Sequence, residues 1–135
     1  MSMFRIFDVS GSAASAQSQR LNTVASNLAN ADTVAGPDGA AYKARQVVFQ
    51  TEWMGATGAA GVRVAEVTES AAPARRVHDP KHPGADADGY VTYSNVDPVQ
   101  EMVDMISASR SYQNNLEVMN TAKGLLLKTL QLGQS

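Results

Sequence analysis

The apolar positions of the chain follow a helical period at both ends and a different pattern in the middle. From Met102 to Leu130, apolar or small side chains recur at alternating steps of three and four residues, with a polar exception at Lys123. A repeat of about 3.5 residues is typical of a coiled-coil seam rather than of an ordinary globular helix. The pattern therefore predicts a long C-terminal helix, roughly 50 Å in length.

The start of this C-terminal helix is marked by capping residues. Asp97 is suited to the N-cap, Pro98 to the first helical position, and Gln100 to the third, from which it can reach back to the cap. Acidic residues follow early and lysines lie near the far end, an order that complements the helix dipole.

The N-terminal segment carries a weaker stripe of the same kind. Its large apolar residues lie at the two ends, whereas small residues occupy positions 12–16. Small side chains permit close helix approach but bury little surface, so this helix is marginal alone and needs neighbours.

The middle of the chain contains the helix breakers and three β-prone segments. All five prolines lie between Pro37 and Pro98, and seven of the ten glycines lie between Gly36 and Gly89. Residues 47–51, 62–67 and 90–93 favour strands, while residues 55–61 and 73–89 are predicted loops. The predicted fold is mainly α, with long N- and C-terminal helices that pair as a coiled-coil-like unit around a small irregular β-hairpin and loop segment. The predicted boundaries are 1–35, 36–95 and 96–135.

Composition narrows the classes of function. The net charge of −2 and the lack of a basic cluster argue against nucleic-acid binding, and the absence of cysteine excludes thiolate sites and disulfides. No apolar run is long enough to span a bilayer, and the N-terminus does not resemble a cleaved secretory signal. Alanine supplies much of the apolar share, so a full-sized core is not expected.

The candidate chemical sites are weak. His78 and His82 have helical metal-ligand spacing, but Pro80 and Pro83 forbid a helix there, and a solvated loop is the better interpretation. Residues 86–89 resemble part of a calcium loop without its anchoring ligands and predict a turn before the strand at Tyr90. The glycines of residues 55–61 lack the lysine of a phosphate loop. We therefore expect no enzyme, metal, cofactor or small-molecule substrate.

Asparagines along the helices can be ordinary solvated or capping residues, as Asn30 would be at a helix end. Where they share a surface with leucines they can instead fix helix register, because buried amides specify partners in coiled coils.

Four segments resemble one known family. Residues 21–33 are similar to the N-terminal signature of bacterial flagellar rod and hook proteins, and residues 42–49 match a further family segment. Residues 95–106 and 109–115 resemble the proximal rod subunits within that family more specifically.

The resemblance implies a structural subunit of the proximal rod of the flagellar basal body. Such a subunit would assemble helically with copies of itself and other rod subunits, transmit motor torque and surround the export channel. It would leave the cell through the flagellar type III export apparatus without a cleaved signal and lie in the rod, which spans the periplasm.

A set of residues is expected to form the subunit interface. The two stripes and their asparagines supply its members: Leu21, Val24, Asn27, Leu28, Asn30, Met102, Ile106, Tyr112, Asn115, Leu116, Met119, Leu126 and Leu130.

Two alternatives to this interpretation remain open. Another flagellar axial subunit, from the rod or a junction, would share the N-terminal signature. An amphipathic membrane-surface module would fit the C-terminal stripe, although its polar face lacks the Lys and Arg that anionic lipids attract.

Overall fold

The computed structural model describes residues 3–56 and 58–134 and confirms two terminal helices around a β-containing middle. The elements in chain order are α1 (Met3–Ala29), β1 (Arg45–Met54), β2 (Ala59–Glu69), β3 (Arg76–His78), β4 (Tyr90–Thr92) and α2 (Pro98–Gly133).

The start of α2 confirms the predicted cap. The Asp97 carboxylate accepts hydrogen bonds from the backbone N–H of Val99 at 3.1 Å and of Gln100 at 3.4 Å, and Pro98 opens the helix. The predicted reach of Gln100 back to the cap is wrong. Its side chain instead donates to Asp104 at 3.2 Å, because that carboxylate lies one turn further along the same helix face.

The two helices pack side by side in opposite directions. Arg20 lies 3.6 Å from Asp104 at one end of the pair, and Ile6 shares a cavity with Glu117 and Val118 at the other. With 27 residues in α1 and 36 in α2, the helices are about 40 and 54 Å long. The last turns of α2 therefore extend beyond the described part of α1.

A long hairpin lies against α1. Strands β1 and β2 pair antiparallel from Arg45 opposite Glu69 to Met54 opposite Ala59, with one bulge. The Val62 N–H points away from β1 and donates to the Ser12 hydroxyl at 3.1 Å, so α1 covers that edge of the sheet.

The predicted loop at residues 55–61 is shorter than expected. Strand β2 already begins at Ala59, and only the turn between the strands remains, of which Thr57 lies outside the described residues. Gly61 lies in β2 where the strand packs closely on α1, because a Cβ at this position would lie 2.6 Å from the Ser12 hydroxyl oxygen. The glycine marks a close approach, not a flexible loop.

The prediction of a loop over residues 73–89 is wrong in part, because residues 76–78 of this segment form a strand of a second small sheet. Strand β3 pairs antiparallel with β4, and the intervening turn is organised by Asp86, which accepts from the N–H groups of Asp88 and Tyr90. The bond from Tyr90 is the main reason that the pKa of Asp86 is lowered. The predicted turn before Tyr90 is confirmed. Strand β3 was not predicted, because three residues are too few to show the alternation of apolar and polar side chains that indicates a strand.

The core is small and rich in alanine, as the composition predicts. Val91 in β4 is fully buried, and the main cluster joins Ala31, Ala44 and Val96, with Tyr42 packed against it. This cluster connects the end of α1, the approach to β1 and the approach to α2.

Candidate assembly surface

Asn27 joins α1 to the base of the hairpin. Its side chain is fully buried, donates to the Arg45 carbonyl at 2.8 Å and accepts from the Arg45 N–H at 2.9 Å. Its Oδ1 also accepts from the Tyr42 hydroxyl at 2.9 Å, which in turn lies 3.1 Å from the Ser26 hydroxyl. We call these four residues the Asn27 network. The amide pairs with Arg45 as a neighbouring strand would, and so satisfies the backbone where β1 begins.

A second asparagine ties the hairpin to the approach of α2. Asn95 accepts from the Ala44 N–H at 2.6 Å and donates to the carbonyls of Ser70 at 3.2 Å and Ala72 at 2.9 Å. The adjacent Ser94 is fully buried and donates to the Ala31 carbonyl at 2.7 Å. Both ends of the hairpin are thus held to the segments that lead out of α1 and into α2.

The face of α2 that packs on α1 differs from the predicted stripe. About half of the residues in the predicted stripe face α1. At the other positions of the stripe, the residue that faces α1 is the one immediately before the predicted residue, and Ala108 and Ala122 are the most deeply buried of these preceding residues. The inward positions, at alternating steps of four and three, are Glu101, Met105, Ala108, Tyr112, Asn115, Met119, Ala122 and Leu126. The reason is steric. Alanines let α2 approach the small residues of α1, whereas larger side chains would hold the helices apart.

The predicted interface residues fall into two groups. One group is buried or half-buried in the chain and comprises Leu21, Val24, Asn27, Leu28, Asn30, Tyr112, Asn115, Met119 and Leu126. The other group is exposed on α2 and comprises Met102, Ile106, Leu116 and Leu130. The exposed group offers more of its surface to another molecule in this conformation.

Three of the predicted register-setting asparagines bond within the chain. Asn27 has no exposed surface, Asn30 donates to the Ser26 carbonyl at 2.9 Å just beyond the end of α1, and Asn115 donates to the Ser111 carbonyl at 2.8 Å. Asn30 thereby caps α1, which was the simpler of the two interpretations.

The first two turns of α2 carry an exposed apolar face. Val99 is 71% exposed, and Met102, Val103 and Ile106 are each 55% exposed. Their spacing of three, four and seven residues places them on one side of the helix. Contiguous exposed apolar surface of this kind typically marks a protein interface.

The C-terminal end of α2 is exposed and rich in leucine. Leu125, Leu127, Leu130 and Leu132 are all at least half exposed. They lie in the last turns of α2, near and beyond the point where the described part of α1 begins, and we call residues 125–132 the leucine overhang. Within the described chain it has little of α1 to cover it.

A polar cavity of about 310 Å³ lies where α1, β1 and α2 meet. Glu101 lines it with only 8% of its surface exposed, and among the described residues its Oε2 has no hydrogen-bond partner. Burial raises the pKa of Glu101, and the charges of Asp104 and Asp97 raise it further, against the opposing effects of Asn27 and Arg20. Sequence reasoning missed this residue, because an acid in the first turn of a helix is ordinary.

The two histidines serve local structure. The His78 ring packs edge-on against Tyr90 at 5.0 Å, and His82 Nδ1 accepts from the Gly84 N–H at 2.9 Å. In residues 3–56 and 58–134 there is no cluster of three metal-binding side chains. No helix in the same ranges is long and apolar enough to cross a membrane.

Two family models match the chain, and both describe flagellar rod proteins. Residues 7–37 match the model "Flagella basal body rod protein", and residues 87–132 match "Flagellar basal body rod FlgEFG protein C-terminal". Together they cover residues 7–29 of α1 and residues 98–132 of α2, the segments that form the helix pair. The two terminal segments thus indicate the class of structural flagellar rod proteins rather than an enzyme.

Full-length relatives narrow this class. The chain is 60% identical to the flagellar basal-body rod protein FlgC of Yersinia enterocolitica and 59% identical to that of Escherichia coli O157:H7, over 99% of this chain and all of each relative. It is 43% identical over the same shares to FlgC of Buchnera aphidicola subsp. Acyrthosiphon pisum. The chain belongs to the FlgC family of flagellar basal-body rod proteins. It is therefore a structural component of the flagellar basal-body rod.

Proposed function

We propose that the chain is a proximal-rod subunit that assembles helically by burying the exposed apolar surface of α2 against neighbouring rod subunits, including copies of itself. The proposal rests on an exposed apolar stripe on α2, whose opposite face is already packed on α1. The stripe consists of Val99, Met102, Val103 and Ile106. A contact between two different faces that does not close on itself generates a helical array.

The leucine overhang supplies the second contact in this proposal. Leu125, Leu127, Leu130 and Leu132 lie near and beyond the point where the described part of α1 begins and have apolar side chains that a neighbouring subunit would bury. In the assembly, α1 and α2 would form a coiled-coil-like unit, because the inward positions of α2 keep the 3.5-residue spacing. The predicted segments 1–35, 36–95 and 96–135 would then act as an axial helix, a hairpin region and a second axial helix.

The remaining details follow from membership in a rod. A tube of such subunits would transmit motor torque and surround the export channel, and each subunit would reach the rod through the flagellar type III export apparatus. Of the predicted interface set, Met102, Ile106, Leu116 and Leu130 are the members that we propose to contact neighbours directly. The buried members would shape the helix pair that presents them.

The test is to replace one exposed apolar residue with a charge and to follow rod assembly. Ile106→Asp places a carboxylate in the proposed interface, where its desolvation opposes assembly. We expect loss of motility and loss of the subunit from purified basal bodies, with normal expression and unchanged circular dichroism. Glu117→Ala, an exposed change on the same helix, is the matched control and should swim normally.

Further variants extend this test to the two stripes. Leu116→Asp and Leu28→Asp should also abolish motility while leaving expression intact. Normal basal bodies containing Ile106→Asp and Leu116→Asp would refute assembly through α2.

A further inference from the structure

The cavity beside Glu101 is built from three elements and holds a buried carboxylate with an unused acceptor. We infer that it is a socket for the cationic side chain, an arginine or lysine, of an adjoining subunit. This inference rests on the proposed function for the identity of its partner. The observation that supports it is independent of that function: Glu101 is more than nine-tenths buried, and its Oε2 has no hydrogen-bond partner within the described chain.

Asn27 acts on the Glu101 carboxyl by a side-chain hydrogen bond that lowers its pKa, but Oε2 itself has no partner among the described residues. The Asn27 amide donates to the Arg45 carbonyl, and Arg20 lies 3.6 Å from Asp104. The Arg45 guanidinium lies over the Tyr42 ring, 6.0 Å from its centroid. A buried acceptor without a donor is costly, so an incoming donor gains more here than at an exposed carboxylate.

The carboxylate oxygen without a partner, rather than the net charge of the lining, favours a cation. Glu101, Asp104 and Asp97 are close enough to influence one another, and Arg20 is the cation that acts on Glu101 from within the chain. Arg45 also lines the cavity but is drawn towards Tyr42. The lining as a whole is balanced, with the acids Glu101 and Asp104 against two arginines, so it is the unpaired Oε2 that attracts an ammonium or guanidinium group.

The size and walls of the cavity suit one long side chain. A volume of about 310 Å³ is at the lower end of ligand pockets, and Val24, Val47 and Phe49 supply apolar walls. The methylene stem of lysine or arginine packs on such walls while its charged end reaches the carboxylate. Because residues from α1, β1 and α2 all line the cavity, an occupant would contact all three elements at once.

Binding to the isolated full-length chain can be measured with a small probe. Acetyl-arginine amide is titrated into the ¹⁵N-labelled chain while the amide resonances of Thr23, Gln46 and Phe49 are followed. We expect saturable shifts at these lining residues. Acetyl-citrulline amide, which has nearly the same shape without the charge, should bind at least tenfold more weakly.

The Glu101→Gln variant separates the socket from general surface attraction. Its amide spectrum away from the cavity establishes that it folds, and its affinity for acetyl-arginine amide should fall at least tenfold. Glu117→Gln, on the same helix, should bind like the unchanged chain. Equal binding of the citrulline probe, full binding by Glu101→Gln, or no saturable shift with the arginine probe would each overturn the socket.

These measurements do not involve the rod, so their failure leaves the proposed function intact. In cells, Glu101→Gln should reduce incorporation into basal bodies, whereas Glu117→Gln should not. Normal incorporation of Glu101→Gln would overturn the role of an adjoining subunit, while failure of the unchanged chain to enter the rod would instead refute the proposed function.

Discussion

Replacing Asn27 with alanine should lower the free energy of unfolding by about 2–4 kcal/mol, an expectation based on the three hydrogen bonds of a fully buried amide. The variant would leave the Arg45 N–H, the Arg45 carbonyl and the Tyr42 hydroxyl without their partner. Each unsatisfied buried group costs about 1–3 kcal/mol. Arg45 is exposed and Tyr42 is half-buried, so water replaces part of the loss and the lower end of each range applies.

The assay is reversible urea denaturation followed by far-ultraviolet circular dichroism, compared at equal m-values. Asn120→Ala is the matched control, because Asn120 is an exposed asparagine on α2. That variant should change stability by no more than about 0.5 kcal/mol.

A double-mutant cycle with Tyr42→Phe tests whether the network acts as a unit. Since the Tyr42 hydroxyl donates to Asn27, the two changes should be non-additive by about 0.5–3 kcal/mol. Loss of less than 1 kcal/mol in Asn27→Ala, or full additivity with Tyr42→Phe, would refute the view that Asn27 holds the hairpin to α1.

Three further predictions concern single residues. Gly124→Ala should stabilise the chain by about 0.5–1 kcal/mol, because the glycine lies inside α2 with open space around it. Gly61→Ala should instead destabilise by about 1–3 kcal/mol in the same urea assay, because its Cβ would lie 2.6 Å from the Ser12 hydroxyl oxygen; equal effects of the two changes would contradict the close approach of α1 and β2. The raised pKa of Glu101 means that the folded chain binds the Glu101 proton more tightly than the unfolded chain does. The protonated carboxyl therefore contributes to the free energy of unfolding at low pH, and this contribution is lost as the pH rises through the folded-state pKa. Glu101→Gln should therefore gain stability relative to the unchanged chain as the pH rises above 4.5, the ordinary pKa of a glutamate carboxyl, and parallel stability profiles of the two chains would refute the raised pKa.

The elements that local chemistry specifies were predictable from the sequence. Asp97 and Pro98 define the start of α2 because capping and a fixed φ act over a few residues. The strands around residues 47–51 and 62–67 were likewise evident from β-branched composition and alternation. Resemblance to the flagellar rod family also identified the two terminal segments that the family models match.

The tertiary details were not predictable, because they depend on which neighbour each face meets. The inward stripe of α2 differs from the predicted one because Ala108 and Ala122 allow close packing that a search for large apolar residues does not detect. Asn27 was identified as important, but its partner Arg45 becomes visible only when the base of the hairpin is placed beside α1. Glu101 carried no sequence signal, since its burial comes from α1 and β1 rather than from its own helix.

The antiparallel packing of α1 and α2 has a consequence for the order of folding. Arg20 and Asp104, which lie beside each other in the folded chain, come from opposite ends of the sequence. The loop between them must close before their contacts contribute, so we expect this protein to fold more slowly than local helix bundles do. A chain threaded from its N-terminus would also leave α1 unable to complete its packing until the last helix becomes available. The pairing of the two ends thus delays native structure until the whole polypeptide is present.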